Sequence, residues 1–493
     1  MSYINILKYR YRLITKYIGV LMMMVGGALL SPLVSLFFEP EDFVYVKYFL
    51  LSAIISFIIG FILYKIIEKE ENTTLKLKEG GIIVVISWLV AIFFSALPFV
   101  SGLGMSWTNA VFEVVSGWTT TGLSVMNVET TPKIYLLWRS LMQMYGGAGL
   151  AVIALSSILP MHGMGLYMAE GRTDQLLPHV RRSTRMIVRI YLGFIIAGIV
   201  LYFAAGMNLF DAINHSMAAI STGGFSTVTE SIGYWDNIGV ELVTIILMFL
   251  GTINFATHFA LLQGKVKKFL RNGEIRLMGV LLVILIPLLV FVSLQGLYDN
   301  LGESFRQAVF QLVSALSTTG FSTISFTGWP FFANLIVIFL MIVGGGTGST
   351  AGGIKQFRVY LIFKSIYWEI KNQFSPQNSV RENFVWRGED KWYVKSEHIK
   401  EVANYIILYL MTYFIGVLIF LAHGYNLEDS LFEFASALGT VGLSVGITAA
   451  DAPAAVIWTE TIGMMLGRLE FLIIFFAFIK LFKDFIYMSK FHN

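Results

Sequence analysis

The 493-residue sequence contains no cysteine, so neither a disulfide framework nor a thiolate metal site can be built from it. It is also short of charge. Asp, Glu, Lys and Arg together make up 13% of the residues, whereas hydrophobic types make up 56%. No soluble domain buries that much apolar side chain, so the composition defines a polytopic membrane protein. No HExxH motif and no mid-span pair of aspartates is present, which argues against an intramembrane enzyme. A basic stretch, Met1–Lys16, precedes the first apolar run. That run, from about Tyr17 to Phe38, is too long for a signal-peptide core and no A-x-A site follows it. It reads as a retained first span.

What the chain has instead is a repeat. FQLVSALSTTGFST begins at Phe310, FEVVSGWTTTGLSV at Phe112, NHSMAAISTGGFST at Asn214 and FEFASALGTVGLSV at Phe432. Each copy places a glycine ten residues in, at Gly122, Gly224, Gly320 and Gly442, and three share Ser116, Ser314 or Ser436 where the second has Ala218. Four copies of one unit predict a structure made by four-fold repetition within one polypeptide. About eleven helical residues rise roughly 16 Å, half of a ~30 Å hydrocarbon core. Such a helix enters the membrane and stops midway, where non-helical backbone is tolerated only inside protein or along a wet cavity. Glycine there lets successive carbonyls turn toward one axis, and four such turns make rings of oxygen able to replace the water around a dehydrated cation. The C-terminal ends of the half-helices aim partial negative charge at the same point. Thr440-Val441-Gly442 even spells the first three letters of the potassium-channel filter.

Apolar runs long enough to span fall at roughly 13–38, 44–67, 82–100, 134–159, 186–206, 238–263, 276–298, 332–363, 402–423 and 455–482. The last eight form four pairs, each enclosing one copy of the repeat. The expected organisation is therefore two leading transmembrane helices (1–78), then pore repeats over 79–165, 166–268 and 269–370. A cytoplasmic linker with the fourth repeat follows over 371–493. The fold class is an all-α polytopic membrane protein, with four pseudo-symmetric span, pore-helix, filter, span repeats around one pore. Basic clusters (Lys8–Lys16, Lys65–Lys78, Arg172–Arg185, Lys265–Arg271, Lys480–Lys490) all fall on one side of this ten-span scheme. The positive-inside rule then puts both termini in the cytoplasm, and the half-helices enter from outside.

Two features within the spans carry a gating expectation. MIVGGGTGSTAGGIKQF, from Met341, holds six glycines: Gly344, Gly345, Gly346, Gly348, Gly352 and Gly353. At ~1 kcal/mol each, a continuous helix there is penalised by roughly 6 kcal/mol, so the eighth span should break into a loop below the filter. A phosphate-binding loop does not fit, because Ile354 intervenes before Lys355 and Gln356 stands where Ser or Thr belongs. Close GxxxG packing competes with the gate reading, which is preferred. Arg468 lies near the middle of the tenth span. An intramembrane charge does not face lipid; it forms an ion pair with another helix or stands in the permeation path beneath the filter. Asn254 and His258 are read as interhelical hydrogen-bonding residues rather than metal ligands. Glu113, His215, Gln311 and Glu433, at one position of the four copies, are read as braces for the filter. For Gly146, Gly147 and Gly149, packing and hinge stand equal.

Together these residues resemble the Trk/Ktr/HKT superfamily of potassium transporters, and more closely its TrkH/TrkG branch, since two extra spans lead the chain. The resemblance covers almost the whole sequence. It rests on the four turn copies, GGGTGSTAGGIK, NFATHF at Asn254–Phe259 and GRLE at Gly467–Glu470. It implies potassium uptake through a pseudo-four-fold pore, a homodimer in the bacterial inner membrane, and a cytosolic TrkA-like nucleotide-binding ring. No cofactor and no nucleic acid is implied; potassium is the transported ion. Filter carbonyls would come from Thr120 and Thr121, Thr222 and Gly223, Thr318 and Thr319, and Thr440 and Val441, each pair preceding its glycine. The family's intramembrane loop maps onto Gly344–Gly353 and its pore arginine onto Arg468. Sodium or mixed-cation translocation is the alternative; the four filter glycines favour potassium. The resemblance also makes Arg172–Arg185, Lys265–Arg276 and Lys364–Lys400 candidate docking segments for the ring, although topology alone accounts for their charge.

Overall fold

The computed structural model describes residues 3–66, 77–149, 180–374, 382–387 and 390–490. The end of the expected fourth span, most of Arg172–Arg185 and parts of Lys364–Lys400 lie outside them. Two leading helices, α1 (Tyr3–Ala28) and α2 (Val46–Lys65), pack against each other and against α3 (Leu77–Leu103). Gly19 and Gly60 let α1 and α2 touch backbone to backbone: a Cβ on either would lie 2.6–2.7 Å from the other's carbonyl oxygen. Ser56 Oγ donates to Met22 O at 2.8 Å and Ser52 Oγ to Phe94 O at 2.6 Å, so small polar residues fasten α2 to both neighbours.

The rest of the chain repeats one pattern. An outer helix leads into a half-helix: α3 into α4 (Trp107–Trp118), α6 (Val180–Ala204) into α7 (Leu209–Ile220). After α8 (Ile238–Thr252), α9 (Phe255–Leu262) and α10 (Val266–Arg271), the pattern recurs as α11 (Gly273–Leu289) into α12 (Leu301–Ser317). Past α13 (Phe331–Val343) and α14 (Gln356–Gln373), α15 (Ser396–Ala422) leads into α16 (Leu427–Gly439). Each half-helix starts at a side-chain cap: Ser106, Asn208, Asn300 and Asn426 accept from Asn109, Asp211, Glu303 and Asp429 N–H at 2.8–3.2 Å. The second helices, α5 (Lys133–Ala148), α8, α13 and α17 (Ala454–Leu469), follow N-caps Pro132, Asn237, Pro330 and Pro453.

The eighth expected span breaks at Gly344 and resumes as α14. The sixth and tenth, expected to be continuous, are broken as well. Helix α8 turns through 107° into α9, and α17 turns through 99° into α18 (Phe471–Lys490). At the first break Asn254 caps α9 by accepting from Ala256 N–H at 2.7 Å, while the Thr252 carbonyl freed from α8 accepts from Gly346 N–H at 3.0 Å. At the second, Glu470 takes a left-handed φ of 62°. Among the described residues, six helices are long and apolar enough to span, or eight if each bent pair is one span. Of the ten expected spans, the other two contain α5, which ends where description stops, and α13, which the glycine loop cuts short. The polar insert forms a hairpin, β1 (Phe384–Arg387) and β2 (Asp390–Tyr393), whose Trp392 stacks on His398 at 4.6 Å.

Candidate ion pathway

Each half-helix ends in the same hydrogen-bonded turn. Thr121, Gly223, Thr319 and Val441 N–H donate back to the carbonyls of residues 116, 218, 314 and 436 at 2.8–3.0 Å. The residue before each donor sits in the left-handed region, where glycine is the usual occupant. Here it is threonine four times: Thr120 (φ 57°), Thr222 (53°), Thr318 (55°) and Thr440 (49°). Left-handed backbone costs a β-branched residue about 1–2 kcal/mol, which sequence propensity alone does not foresee. The intervening residue returns to negative φ, and Gly122, Gly224, Gly320 and Gly442 are positive again at 98°, 71°, 83° and 99°.

The four turns close on one another. A Cβ placed on Gly122 would run into the Gly223 carbonyl oxygen, one on Gly224 into Thr319 O, one on Gly320 into Val441 O, and one on Gly442 into Thr121 O. The sequence of contacts is cyclic, first copy to second, third, fourth and back to first. Only glycine fits at any of the four places. Of the twelve predicted filter residues, all but Gly122, Gly224 and Gly442 are buried. The hydroxyls of Thr120 and Thr440 are buried with no hydrogen-bond partner among the described residues, whereas Thr318 Oγ1 accepts from Gly352 N–H at 2.7 Å and Thr222 Oγ1 meets Thr350 Oγ1 at 3.2 Å.

Behind the turns, the recurring polar position acts as a brace. Glu113 accepts from Ser124 Oγ and Val125 N–H, Glu433 from Ser444 Oγ, Val445 N–H and Thr448, and Gln311 Nε2 donates to Thr323 Oγ1 at 2.9 Å. His215 sits between Asp211 O and Ser226 Oγ at 2.9 and 3.0 Å. Glu113 is also paired with Arg139 Nε of α5 at 2.6 Å, both fully buried. Gly442-Leu443-Ser444-Val445-Gly446 has the spacing of a hydrolase nucleophile elbow, but the Ser444 hydroxyl donates to Glu433 at 2.7 Å and no strand precedes it.

Beneath the turns lies the glycine loop, residues 344–355. Gly352 reaches the third copy through Thr318, and Thr350 Oγ1 donates toward the Ile220 and Gly251 carbonyls of the second repeat at 3.0 and 2.9 Å. Arg468 faces it: Nη1 donates to Thr350 O at 2.5 Å and Nη2 to Gly146 O at 2.7 Å. Gly146 and Gly147 are packing glycines, since a Cβ on the first would meet Trp118 O and one on the second Ser221 Cβ at 2.8 Å. Asn254 Nδ2 donates to Thr347 O, and the Glu274 carboxylate accepts from Thr347 N–H at 2.7 Å. His258 bonds to Leu250 O at 2.8 Å across the bend of its own span rather than to a distant helix.

Two further charges here are given no role by the sequence. Lys355 places a second cation by the loop, its Nζ donating to the Ala351 carbonyl. Arg358 on α14 pairs with Glu470 at 2.5 Å and lies 3.7 Å from the Tyr405 ring centre, tying the loop's exit to the break between α17 and α18. The only textual signal was the GIK and RLE pairing of opposite charges in two otherwise apolar segments.

Above the ring a cavity of about 680 Å³ is lined by residues of all four copies, including the four glycines and Arg139. Below it, a cavity of about 50 Å³ is lined by Gly146, Thr347, Gly348, Lys355, Arg468 and Glu470. Among the described residues no group of three or more His, Asp or Glu side chains is placed to hold a metal ion. A wide mouth, a closed ring of backbone turns at the ends of half-helices and a small cavity below are the parts of a pathway for small ions, the architecture of a membrane transporter.

The chain belongs to the TrkH family, described as cation transport proteins, which it matches over residues 47–488. It is 32% identical to the Trk system potassium uptake protein TrkG of Escherichia coli strain K12, over 97% of this chain and 99% of that one. It is 31% identical to an uncharacterized cation transporter of Methanocaldococcus jannaschii, over 94% of each. The crystal structure of the potassium transporter TrkH from Vibrio parahaemolyticus superposes with a TM-score of 0.82 at 28% identity, covering 96% of this chain and 98% of that one.

Proposed function

We propose that this protein takes up potassium through the ring of four turns. The observation that carries the reading is the cyclic contact from Gly122 to Gly223, Gly224 to Thr319, Gly320 to Val441 and Gly442 to Thr121. In this reading, carbonyls of Thr120 and Thr121, Thr222 and Gly223, Thr318 and Thr319, and Thr440 and Val441 surround one axis, where they replace the hydration shell of a cation. The unpartnered hydroxyls of Thr120 and Thr440 add acceptors on the same ring. Relatives named as potassium uptake proteins support potassium over sodium as the cargo.

In this reading the loop Gly344–Gly353, held by Arg468, is the gate. Its exit helix α14 is coupled to the break of the last span through Arg358–Glu470. A cytosolic nucleotide-binding ring of the TrkA type would move α14 and release the loop, in a homodimer of the bacterial inner membrane with both termini cytoplasmic. The basic clusters between repeats support that orientation. Residues 1–78 form the leading pair, and 79–165, 166–268, 269–370 and 371–493 carry the four quadrants. Flux from purified protein in liposomes tests the filter. Gly320→Ser and Gly442→Ser should each lower the potassium to sodium flux ratio, because the added side chain meets the next carbonyl of the ring. Unchanged ratios in both would reduce these glycines to ordinary turns.

A further inference from the structure

The second quadrant departs from the others in sequence, with Ala218 for serine and Gly223 where the other copies have Thr121, Thr319 and Val441. One side chain from the first repeat occupies the space beside Gly223. Gln143, fully buried on α5, donates through Nε2 to the Gly223 carbonyl at 2.5 Å, and its Oε1 accepts from Phe225 N–H at 3.2 Å. The backbone N–H of Phe225 can only donate, so it fixes which end of the amide faces Gly223. A Cβ on Gly223 would strike the Gln143 amide, which explains the second consecutive glycine in this copy. In the first and fourth copies the filter glycine N–H donates to Ser116 or Ser436 Oγ at 3.0 Å instead. Counted from the N-caps, the positions matching Gln143 in the other three second helices are Met248, Met341 and Met464, all fully buried. Glutamine thus stands once where methionine stands three times.

Resting on the reading of the ring as a cation filter, we infer that Gln143 is a specificity-determining positioning residue. It holds the second filter strand and, by donating to the Gly223 carbonyl, weakens that oxygen as a cation ligand. The layer that Gly223 shares with Thr121, Thr319 and Val441 is then three full carbonyls and one attenuated one. A weaker oxygen field favours the larger, more easily dehydrated cation, because attraction to the smaller ion grows fastest as the field strengthens. Neither the Arg139–Glu113 pair nor any glycine of the ring has this effect, since none donates to a filter carbonyl.

The test compares potassium, rubidium and sodium flux in liposomes for the parent, Gln143→Met, and Gln143→Met combined with Ala218→Ser and Gly223→Thr. The combined variant gives the second quadrant the Ser-Thr-Thr-Gly pattern of the third copy and the methionine of the other helices. Both variants should lower the potassium to sodium and rubidium to potassium ratios by roughly two- to tenfold, the span of one hydrogen bond's net worth, while still carrying potassium. If the single variant does not fold, the combined one carries the comparison. Parent-like ratios in the combined variant would overturn the inference, because packing would then be restored without the donor mattering. Gly320→Ser and Gly442→Ser run alongside separate the two levels: if either alters selectivity and the Gln143 variants do not, only this inference falls; if neither does, the filter reading falls first.

Discussion

Replacing Arg468 with alanine should open the pathway without its regulator. The guanidinium holds two carbonyls, Thr350 O at 2.5 Å and Gly146 O at 2.7 Å, and so clips the glycine loop to the end of α5. A hydrogen bond from a charged donor contributes about 1.5–3 kcal/mol net, so the pair favours the closed loop by roughly 3–6 kcal/mol. At 1.4 kcal/mol per factor of ten, even the lower figure shifts the open population about a hundredfold. The charge acts separately. A cation brought within ~4 Å of the guanidinium meets a repulsion of about 4 kcal/mol at an effective dielectric constant of 20. Alanine removes both effects, whereas Arg468→Lys keeps the charge but cannot hold two carbonyls from one ammonium at the same geometry. Basal potassium efflux from loaded liposomes, without any cytosolic partner, should therefore rise in the order parent, lysine, alanine. Lys355 lines the same small cavity and keeps part of the barrier, so Arg468→Ala should still leak less than Arg468→Ala with Lys355→Gln. Basal efflux of Arg468→Ala equal to the parent's, with both proteins eluting and melting alike, would refute the clip.

Glu113→Ala leaves the Arg139 charge buried and unpaired, so it should cost about 3–5 kcal/mol of stability, read as a lower melting temperature in detergent; Glu113→Gln should cost less. Neutralising Lys265, Lys267, Lys268 and Arg271 should weaken capture of a cytosolic nucleotide-binding ring in pull-downs. Unaltered capture, with the remaining basic segments neutralised too, would leave those charges a topological role only.

The organisation around four half-helices was legible because it depends on counts and spacing: a glycine ten residues into each copy, and an apolar run on either side. Arg468 and the glycine loop were legible because each violates what a lipid-facing helix permits. The breaks after Thr252 and Leu469 were not. Neither carries a glycine cluster, and their stability comes from partners distant in sequence, Gly346 for the freed Thr252 carbonyl and Arg358 for Glu470. Asn254, expected to bond between helices from within a continuous span, is the cap that starts a new helix. The left-handed threonines were hidden for the opposite reason, since local preference argues against them and only the closed ring holds them there. Gln143 sat unremarked in an apolar run, its meaning visible only beside Gly223.

Because the four turns belong to one polypeptide, a substitution alters one quarter of the ring. In an assembly of four identical subunits every change is imposed four times, and a carbonyl can be engaged by a neighbour only if all its equivalents are. Here, among the described residues, Gly223 O accepts from a glutamine amide, Thr318 Oγ1 accepts from the loop, and the hydroxyls of Thr120 and Thr440 have no partner. Covalent linkage makes the ring adjustable in single steps, with one side of the aperture tied to Gln143 and another to the glycine loop.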